Sequence, residues 1–204
     1  MDWKERVKSL AKLNAHPPVV ISISGNAGSG KTTVAHALIN RLSNAAMVAF
    51  DDYPSDLLGQ DYCQWSENGA NANAWNLECI EKDLNGLLQK SYDYIILDYP
   101  FGYAHQSIAK YIDFAVWIDT PLDISLARRV LRDITQRSET RRPLKGTIAE
   151  QVTTYLNFYL SRHRDTYFRH TETVRPMADF VVDGTMPSEI VMLEIINFMS
   201  KSQM

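Results

Sequence analysis

The sequence predicts an α/β protein in which a parallel sheet is covered by helices on both faces. Short apolar, β-branched segments recur along the chain and alternate with segments whose apolar residues have helical spacing. A glycine-rich loop joins the first of these strands to a helix. The chain has 204 residues, of which 45% are hydrophobic, and this size suits one domain over residues 1–204 with a substantial core.

The glycine-rich loop matches the pattern G-x-x-x-x-G-K-[ST], the phosphate-binding loop or P-loop. A buried strand over 18–23 precedes it and a helix over 31–42 follows it, as this motif requires. Glycine lets backbone amides turn inward around an anion, and the helix N-terminus adds positive potential. The sequence thus predicts the three-layer P-loop NTPase fold and a nucleoside triphosphate site, with ATP and GTP both open as the nucleotide. It is formed by Gly25, Asn26, Ala27, Gly28, Ser29, Gly30, Lys31, Thr32 and Thr33.

The other strands are expected where β-branched and apolar residues form short runs: 45–50, 94–98, 114–119 and 180–183. Helical spacing predicts helices over 2–14 within an N-terminal segment 1–16, and over 77–88, 147–168 and 188–199. A further helix is expected to begin with Thr120 as N-cap and Pro121 in its first turn. Residues 52–76 lack clear periodicity and predict an acceptor-binding insertion with one or two short helices, and 128–147 a small lid region.

Carboxylates follow two of the predicted strands, at the sheet edge where parallel α/β proteins bind ligands. Asp98 is expected to reach Mg²⁺ together with the Thr32 hydroxyl. Asp51 is the candidate general base and a further metal contact, with Asp52 as the competing choice. Neighbouring residues of an extended chain point to opposite sides, so only one of these two should face the site. Ordinary turn residues are the alternative for each of them.

Two sets of residues are expected around the transferred phosphate. Lys31 offers a mobile charge for the β- and γ-phosphates, while Arg128 and Arg132, four residues apart, share one helix face and suit phosphate oxygens. Arg129 is the weaker candidate, and a solvated basic face is the alternative. The chain has no arginine between Arg41 and Arg128, and this argues against a phosphorylated acceptor.

Aromatic and amide side chains dominate the acceptor side and suit a neutral, ring-bearing, hydroxyl-rich small molecule. Plain core packing is the alternative for these aromatic residues. The predicted acceptor-binding residues are Asp51, Tyr53, Trp65, Trp75, Asn76, Tyr103 and His105.

Composition limits the other partners. The formal net charge of -3 gives no electrostatic case for nucleic acid or an anionic membrane. Cys63 and Cys79 are too few for a disulfide framework, and the charged N-terminus does not read as a signal peptide. We therefore expect a cytoplasmic protein that acts on a small molecule, and a homo-oligomer stays open.

Several segments resemble the uridine kinase / phosphoribulokinase family of P-loop kinases: 24–35, 51–53, 74–76, 119 with 128–133, and 177–182. The resemblance implies ATP- and Mg²⁺-dependent phosphorylation of a hydroxyl on a small metabolite. It makes Asp51 the base, Thr32 and Asp98 the metal contacts, and Arg128 and Arg132 the lid-side charges. Asn76 stands where this family carries a ribose-binding Asp, and Asp98 replaces a Glu-Gly pair. The rival hypotheses are a nucleotide-dependent regulatory NTPase and a nucleoside monophosphate kinase.

Overall fold

The computed structural model describes residues 17–54, 59, 62–140 and 146–202, without the side chains of 134–140 and 202. The helix expected over 2–14 and part of the lid region, 141–145, lie outside these residues. Within them, no helix is long and apolar enough to cross a membrane.

Five parallel strands form one sheet in the order β2-β3-β1-β4-β5. The strands are β1 (Val19–Ser24), β2 (Ala45–Ala49), β3 (Tyr94–Asp98), β4 (Phe114–Asp119) and β5 (Phe180–Asp183). Their register aligns Asp98 with Ile23 of β1 and with Ala49 of β2. The P-loop, Asp51 and Asp98 therefore emerge side by side at the carboxyl edge of the sheet.

Helices cover both faces of the sheet, which confirms the predicted three-layer fold. They are α1 (Lys31–Arg41), α2 (Tyr62–Glu67), α3 (Glu78–Leu88), α4 (Gln106–Ala109), α5 (Leu122–Thr140), α6 (Ile148–Phe158), α7 (Arg164–Val174) and α8 (Ser188–Ser202). One core joins α1 and α8 to the sheet through residues such as Leu38 and Ile195. The other joins α3 and the acceptor-side aromatic residues through Ile80 and Leu97.

Two local expectations were wrong, and a third was right but too short. β2 ends at Ala49, and Phe50–Asp52 forms a 3₁₀ turn, so Asp51 and Asp52 do not alternate along an extended chain. The helix expected to start with Thr120 as N-cap begins at Leu122, and the Thr120 hydroxyl instead donates to the Ser29 carbonyl at 2.9 Å. The helical segment expected over 147–168 runs on to Val174 through a π-helical turn over Tyr159–His163.

Candidate active site

The P-loop adopts a shape that glycine makes possible. Gly28 has φ 87°, and a Cβ there would lie 2.3 Å from the Ser125 carbonyl oxygen of α5. Gly30, with φ 101°, precedes α1 and has no side chain to occupy the first helical amides. Those amides stay available to an anion, as expected for a phosphate site at a helix N-terminus.

Asp98 lies beside the P-loop in a nearly buried position, with 5% of its surface exposed. The Thr32 hydroxyl donates a hydrogen bond to its carboxylate, while Asp98 Oδ1 is buried without a hydrogen-bond partner. Burial raises the pKa of Asp98, whereas the charge of Lys31 and the bond from Thr32 oppose this rise. A buried carboxylate oxygen without a partner, next to a hydroxyl, offers the hard oxygen ligands that Mg²⁺ prefers.

The two acidic candidates after β2 have different electrostatic neighbours. Both are exposed, and the negative charge of Asp51 contributes to the raised pKa of Asp98. Asp52 directly precedes Tyr53, whose hydroxyl donates to Asp83 of α3 at 2.7 Å. Burial raises the pKa of Tyr53, and the bond to Asp83 adds to the rise. Tyr53 is thus held against α3 by its hydroxyl.

Arg128 connects the P-loop to the loop after β5. Its guanidinium donates to the carbonyl oxygens of Ser29 at 3.3 Å and of Gly184 at 2.9 Å. It also borders a cavity of about 390 Å³, whose lining includes Gly30, Thr33 and Val34. Because guanidinium planes stack on aromatic rings, the Arg128 guanidinium at the edge of this cavity suits the flat ring of a nucleotide base next to the P-loop.

The two other arginines of α5 have different environments. Arg129 donates to the Tyr167 hydroxyl and lies over the Tyr155 ring, with 5.4 Å between the guanidinium carbon and the ring centroid, so it ties α5 to α6 and α7. Arg132 is exposed and pairs with Asp133 at 3.3 Å. Asp133 itself is buried, so moving Arg132 to a phosphate would take a pairing cation from a buried carboxylate.

An aromatic cluster occupies the acceptor side around Phe50, the residue before Asp51. Trp65 and Trp75 are 1% and 6% exposed, so the chain itself covers most of their surface. Two polar atoms in this cluster are buried without hydrogen-bond partners, the Trp75 Nε1 and the Tyr99 hydroxyl. Their rings lie 5.6 and 6.4 Å from the Phe50 ring. Buried polar groups normally have partners, so these two donors are exceptions, and a ligand reaches them only where the cluster opens.

Three further predicted acceptor residues make contacts within the chain. Asn76 accepts a hydrogen bond from the Glu78 amide at 3.1 Å near the start of α3. The Tyr103 hydroxyl donates to Asp179 at 2.8 Å, near the amino ends of β4 and β5 and thus away from the P-loop edge. His105 is buried, which lowers its pKa, and its Nε2 donates to the Trp75 carbonyl at 3.1 Å. His105 therefore lies at the back of the Trp75 segment.

Arginines reach the acceptor side from another part of the chain. Arg162, in the π-helical turn, donates to Glu67 at 3.2 Å, and Arg169 of α7 donates to the Ser66 carbonyl at 3.4 Å. The sequence gap between Arg41 and Arg128 does not reveal these contacts, because they come from a distant helix. Both guanidinium groups are engaged by α2.

The residues of α7 that contact the P-loop were not predicted from the sequence. His170 is fully buried, and its Nδ1 lies 3.0 Å from the Asn26 side-chain oxygen. The Thr171 hydroxyl lies 2.8 Å from the Asn26 side-chain nitrogen. Their helical spacing on an amphipathic segment looks like ordinary core, so no local pattern distinguishes them. The same two side chains, Asn26 and Thr171, line a second cavity of about 540 Å³ toward the ends of β4 and β5.

Comparison with known proteins agrees with this geometry. The model of the "Phosphoribulokinase / Uridine kinase family" matches residues 88–168. Uridine kinase of Borrelia duttonii is 25% identical over 186 residues, which cover 80% of this chain and 85% of that protein. Uridine kinase of Clostridium botulinum strain Langeland is 26% identical over 193 residues, covering 81% and 87%.

Solved structures share the fold at lower identity. Shikimate kinase from Aquifex aeolicus superposes with a TM-score of 0.52 at 21% identity, covering 91% of this chain and 99% of that one. A sugar kinase from Janibacter superposes with a TM-score of 0.51 at 14% identity, covering 90% and 95%.

Fold, P-loop and curated relatives together define the class of protein: an ATP-dependent P-loop kinase with a small-molecule acceptor. Within that class, the chain resembles the phosphoribulokinase / uridine kinase family, and the resemblance predicted from its motifs is confirmed.

Proposed function

We propose that the chain transfers the γ-phosphate of ATP to a hydroxyl of a neutral, ring-bearing small molecule of nucleoside, sugar or vitamin type. One observation carries the proposal. Asp98 holds a buried, unpartnered carboxylate oxygen beside Thr32 and Lys31, and the charge of Asp51, which follows the neighbouring strand β2, acts on it. This is an arrangement for a polyphosphate with its metal on one side and an alcohol on the other.

The donor site extends from the P-loop into the smaller cavity. Backbone amides of 26–33 and the Lys31 ammonium bind the phosphates. The purine base of ATP lies beside Arg128, against the loop after β5 that begins at Gly184. Arg132, paired with Asp133 on α5, is a further source of positive charge for the transferred group.

The residues present fit a magnesium ion. Thr32 and Asp98 would hold it, with phosphate and water oxygens completing the six ligands that Mg²⁺ prefers. When bound, Mg²⁺ neutralises charge on the β- and γ-phosphate oxygens. Positive charge next to Asp98 favours its ionised form and opposes the effect of burial on its pKa.

Asp51 supplies the base. Its carboxylate accepts the proton of the acceptor hydroxyl as that oxygen forms a bond to the γ-phosphorus, and the bond from that phosphorus to the β,γ-bridging oxygen breaks to release ADP. Asp51 is exposed, so an incoming alcohol can reach it.

The acceptor ring packs against the aromatic cluster around Phe50. Trp75 Nε1 and the Tyr99 hydroxyl are both hydrogen-bond donors here, so they select an acceptor that presents carbonyl, ether or hydroxyl oxygens. Uridine has such oxygens and is the acceptor named for the curated relatives, which makes it the first compound to test.

Acceptor-dependent ADP formation tests the proposal. Purified protein is assayed with Mg·ATP and a panel of nucleosides, sugars and vitamins. Asp51→Asn should lower kcat by at least about 100-fold, the usual range for loss of a general base. It should also leave ADP binding, measured by calorimetry, within about threefold.

Asp52→Asn is the matched control, because it removes the same charge one residue away. We expect its kcat to stay within about threefold of the original. Equal losses in the two variants, or no acceptor-dependent ADP with any compound, would contradict the proposal.

A further inference from the structure

Asn26 is a P-loop residue whose side chain points away from the phosphate site and into the protein. Only 4% of its surface is exposed. Its amide lies 3.0 Å from His170 Nδ1 and 2.8 Å from the Thr171 hydroxyl, both on α7. The backbone carbonyl oxygen of Asn26 accepts a hydrogen bond from the backbone amide of Ser29 at 3.0 Å, and this bond closes the turn of the loop. Asn26 is therefore a point where α7 can act on the shape of the loop.

The available protons determine how this contact is made. His170 Nε2 lies 2.8 Å from the Pro100 carbonyl oxygen, and Nδ1 lies 3.0 Å from the Asn26 side-chain oxygen Oδ1. The Asn26 NH₂ group donates to the Thr171 hydroxyl at 2.8 Å, because that hydroxyl gives its one proton to the Tyr167 carbonyl oxygen at 2.8 Å. Burial lowers the pKa of His170 to about 4, so the ring is neutral near pH 7 and has one proton for these two acceptors. One tautomer therefore donates to Pro100 and the other to Asn26.

The imidazole ring also belongs to the acceptor-side cluster. It is fully buried, with edge-on aromatic contacts at centroid distances of 5.3 to 6.2 Å to Tyr62, Trp65, Phe101 and Trp117. Pro100 follows Asp98 and Tyr99 directly in the chain. One ring therefore contacts the P-loop, the segment after β3 and the aromatic residues of the acceptor side.

Convergent amide dipoles repel one another when no anion lies between them, so a phosphate-binding loop needs support from outside to keep its shape. The buried Asn26 side chain provides this support on the side of the loop that contacts α7. Its partners come from the helix that also carries Tyr167, which binds Arg129 of α5.

We propose that His170 is a positioning residue of this kinase: through Asn26 it holds the P-loop in its nucleotide-binding shape. The inference rests on the proposed ATP site but not on the identity of the acceptor. Its consequence is that nucleotide affinity depends on the packing of α7 against the aromatic cluster.

Two substitutions separate the two hydrogen bonds of the ring. Glutamine places its terminal amide near the Nε2 position and can keep the bond to Pro100, whereas asparagine places its amide near Nδ1 and can keep the bond to Asn26. His170→Gln should therefore weaken Mg·ADP binding and raise KM for ATP about tenfold, equivalent to about 1.4 kcal/mol. His170→Asn should restore most of this affinity. In both variants, kcat should change less than KM.

Thr171→Val is the companion variant if substitution of the buried histidine prevents folding. It removes the other partner of Asn26 at a half-buried position with little change in volume, and we expect a KM for ATP about threefold to tenfold higher. In the double variant Asn26→Ala/His170→Gln, the affinity should be no lower than in Asn26→Ala alone.

Calorimetry with Mg·ADP needs no acceptor, so it tests this inference separately from phosphoryl transfer. If the wild type binds Mg·ADP and the His170→Gln variant binds it with the same affinity, the inference is overturned and the proposed function stays intact. Equal affinity losses in His170→Gln and His170→Asn, or a lower melting temperature with KM unchanged, would show a structural role only. If the wild type binds Mg·ADP but transfers phosphate to no acceptor, the result instead counts against the proposed function.

Discussion

Gly184, which follows β5, lies so close to Thr120 that a Cβ at position 184 would be 2.0 Å from the Thr120 hydroxyl oxygen. The same hydroxyl donates to the Ser29 carbonyl, and Arg128 donates to both Ser29 and Gly184. Three hydrogen bonds thus join the P-loop, the connection after β4 and the loop after β5 around a position that admits no side chain.

Gly184→Ala should destabilise the protein and weaken nucleotide binding. The added methyl group meets Thr120, which is buried and held by its bond to Ser29, as well as Ile118 at 2.6 Å. Overpacking of this kind costs about 1–3 kcal/mol. We expect a loss of that size in urea unfolding, and a weaker Mg·ADP affinity because Ser29 belongs to the P-loop.

Gly86→Ala is the matched control, since Gly86 lies inside α3 and a Cβ there meets nothing within 4 Å. Alanine favours a helix interior over glycine by about 0.5–1 kcal/mol, so this variant should be slightly more stable and bind nucleotide normally. If both alanine variants behave alike, close packing at position 184 does not govern the donor site.

His170 should make the free energy of unfolding depend on pH. In the unfolded chain its pKa is about 6.5, and burial lowers it to about 4 in the folded protein. Between these values only the unfolded chain binds the proton. The contribution of the neutral His170 to the free energy of unfolding is therefore complete above about pH 6.5. It declines as the pH falls toward 4, by about 3 kcal/mol in all.

Urea unfolding at pH 7, 6 and 5 measures this dependence, and His170→Asn should remove the part due to the histidine. Carboxylates also titrate in this range, so the difference between the two proteins is the relevant quantity. His36→Gln, on the exposed side of α1, serves as the control. Parallel curves for wild type and His170→Asn would mean that the folded protein protonates His170 as easily as the unfolded chain does.

The fold could be predicted because its signals are local. Each strand is a short apolar run, and the P-loop motif specifies the strand and helix on either side of it. The errors lie where a tertiary contact replaces a local preference. Thr120 has the residue type of an N-cap, but its hydroxyl bonds to Ser29, ninety-one positions away. The turn at Asp51 likewise forms where the strand leaves the sheet, and extended geometry no longer holds there.

The candidate site could be predicted only in part for the same reason. Asp98 and Thr32 were recognisable because a strand end and a motif mark them. His170 contacts Asn26 across 144 positions, and nothing near either residue indicates the pairing. Arg162 and Arg169 reach α2 in the same way. Residue spacing reveals neighbours on one element, whereas contacts between elements depend on how the helices pack.

Tyr99→Phe should stabilise the folded protein and weaken acceptor binding at the same time. The Tyr99 hydroxyl is buried without a partner, and such a group costs about 1–3 kcal/mol because it has lost its water. Removing it should raise the free energy of unfolding by about 1 kcal/mol. If the acceptor supplies the missing partner, its KM should rise about tenfold while KM for ATP stays constant.

The two effects have opposite signs, and this combination distinguishes a ligand-binding hydroxyl from a packing one. Tyr111→Phe is the control, because the Tyr111 hydroxyl already donates to Glu81 at 2.9 Å on α3, so its loss should lower stability and leave the KM of the acceptor unchanged. A Tyr99→Phe protein that is more stable yet binds the acceptor as before would place the ligand elsewhere. One that is less stable would mean that the hydroxyl already has a partner, such as a buried water molecule.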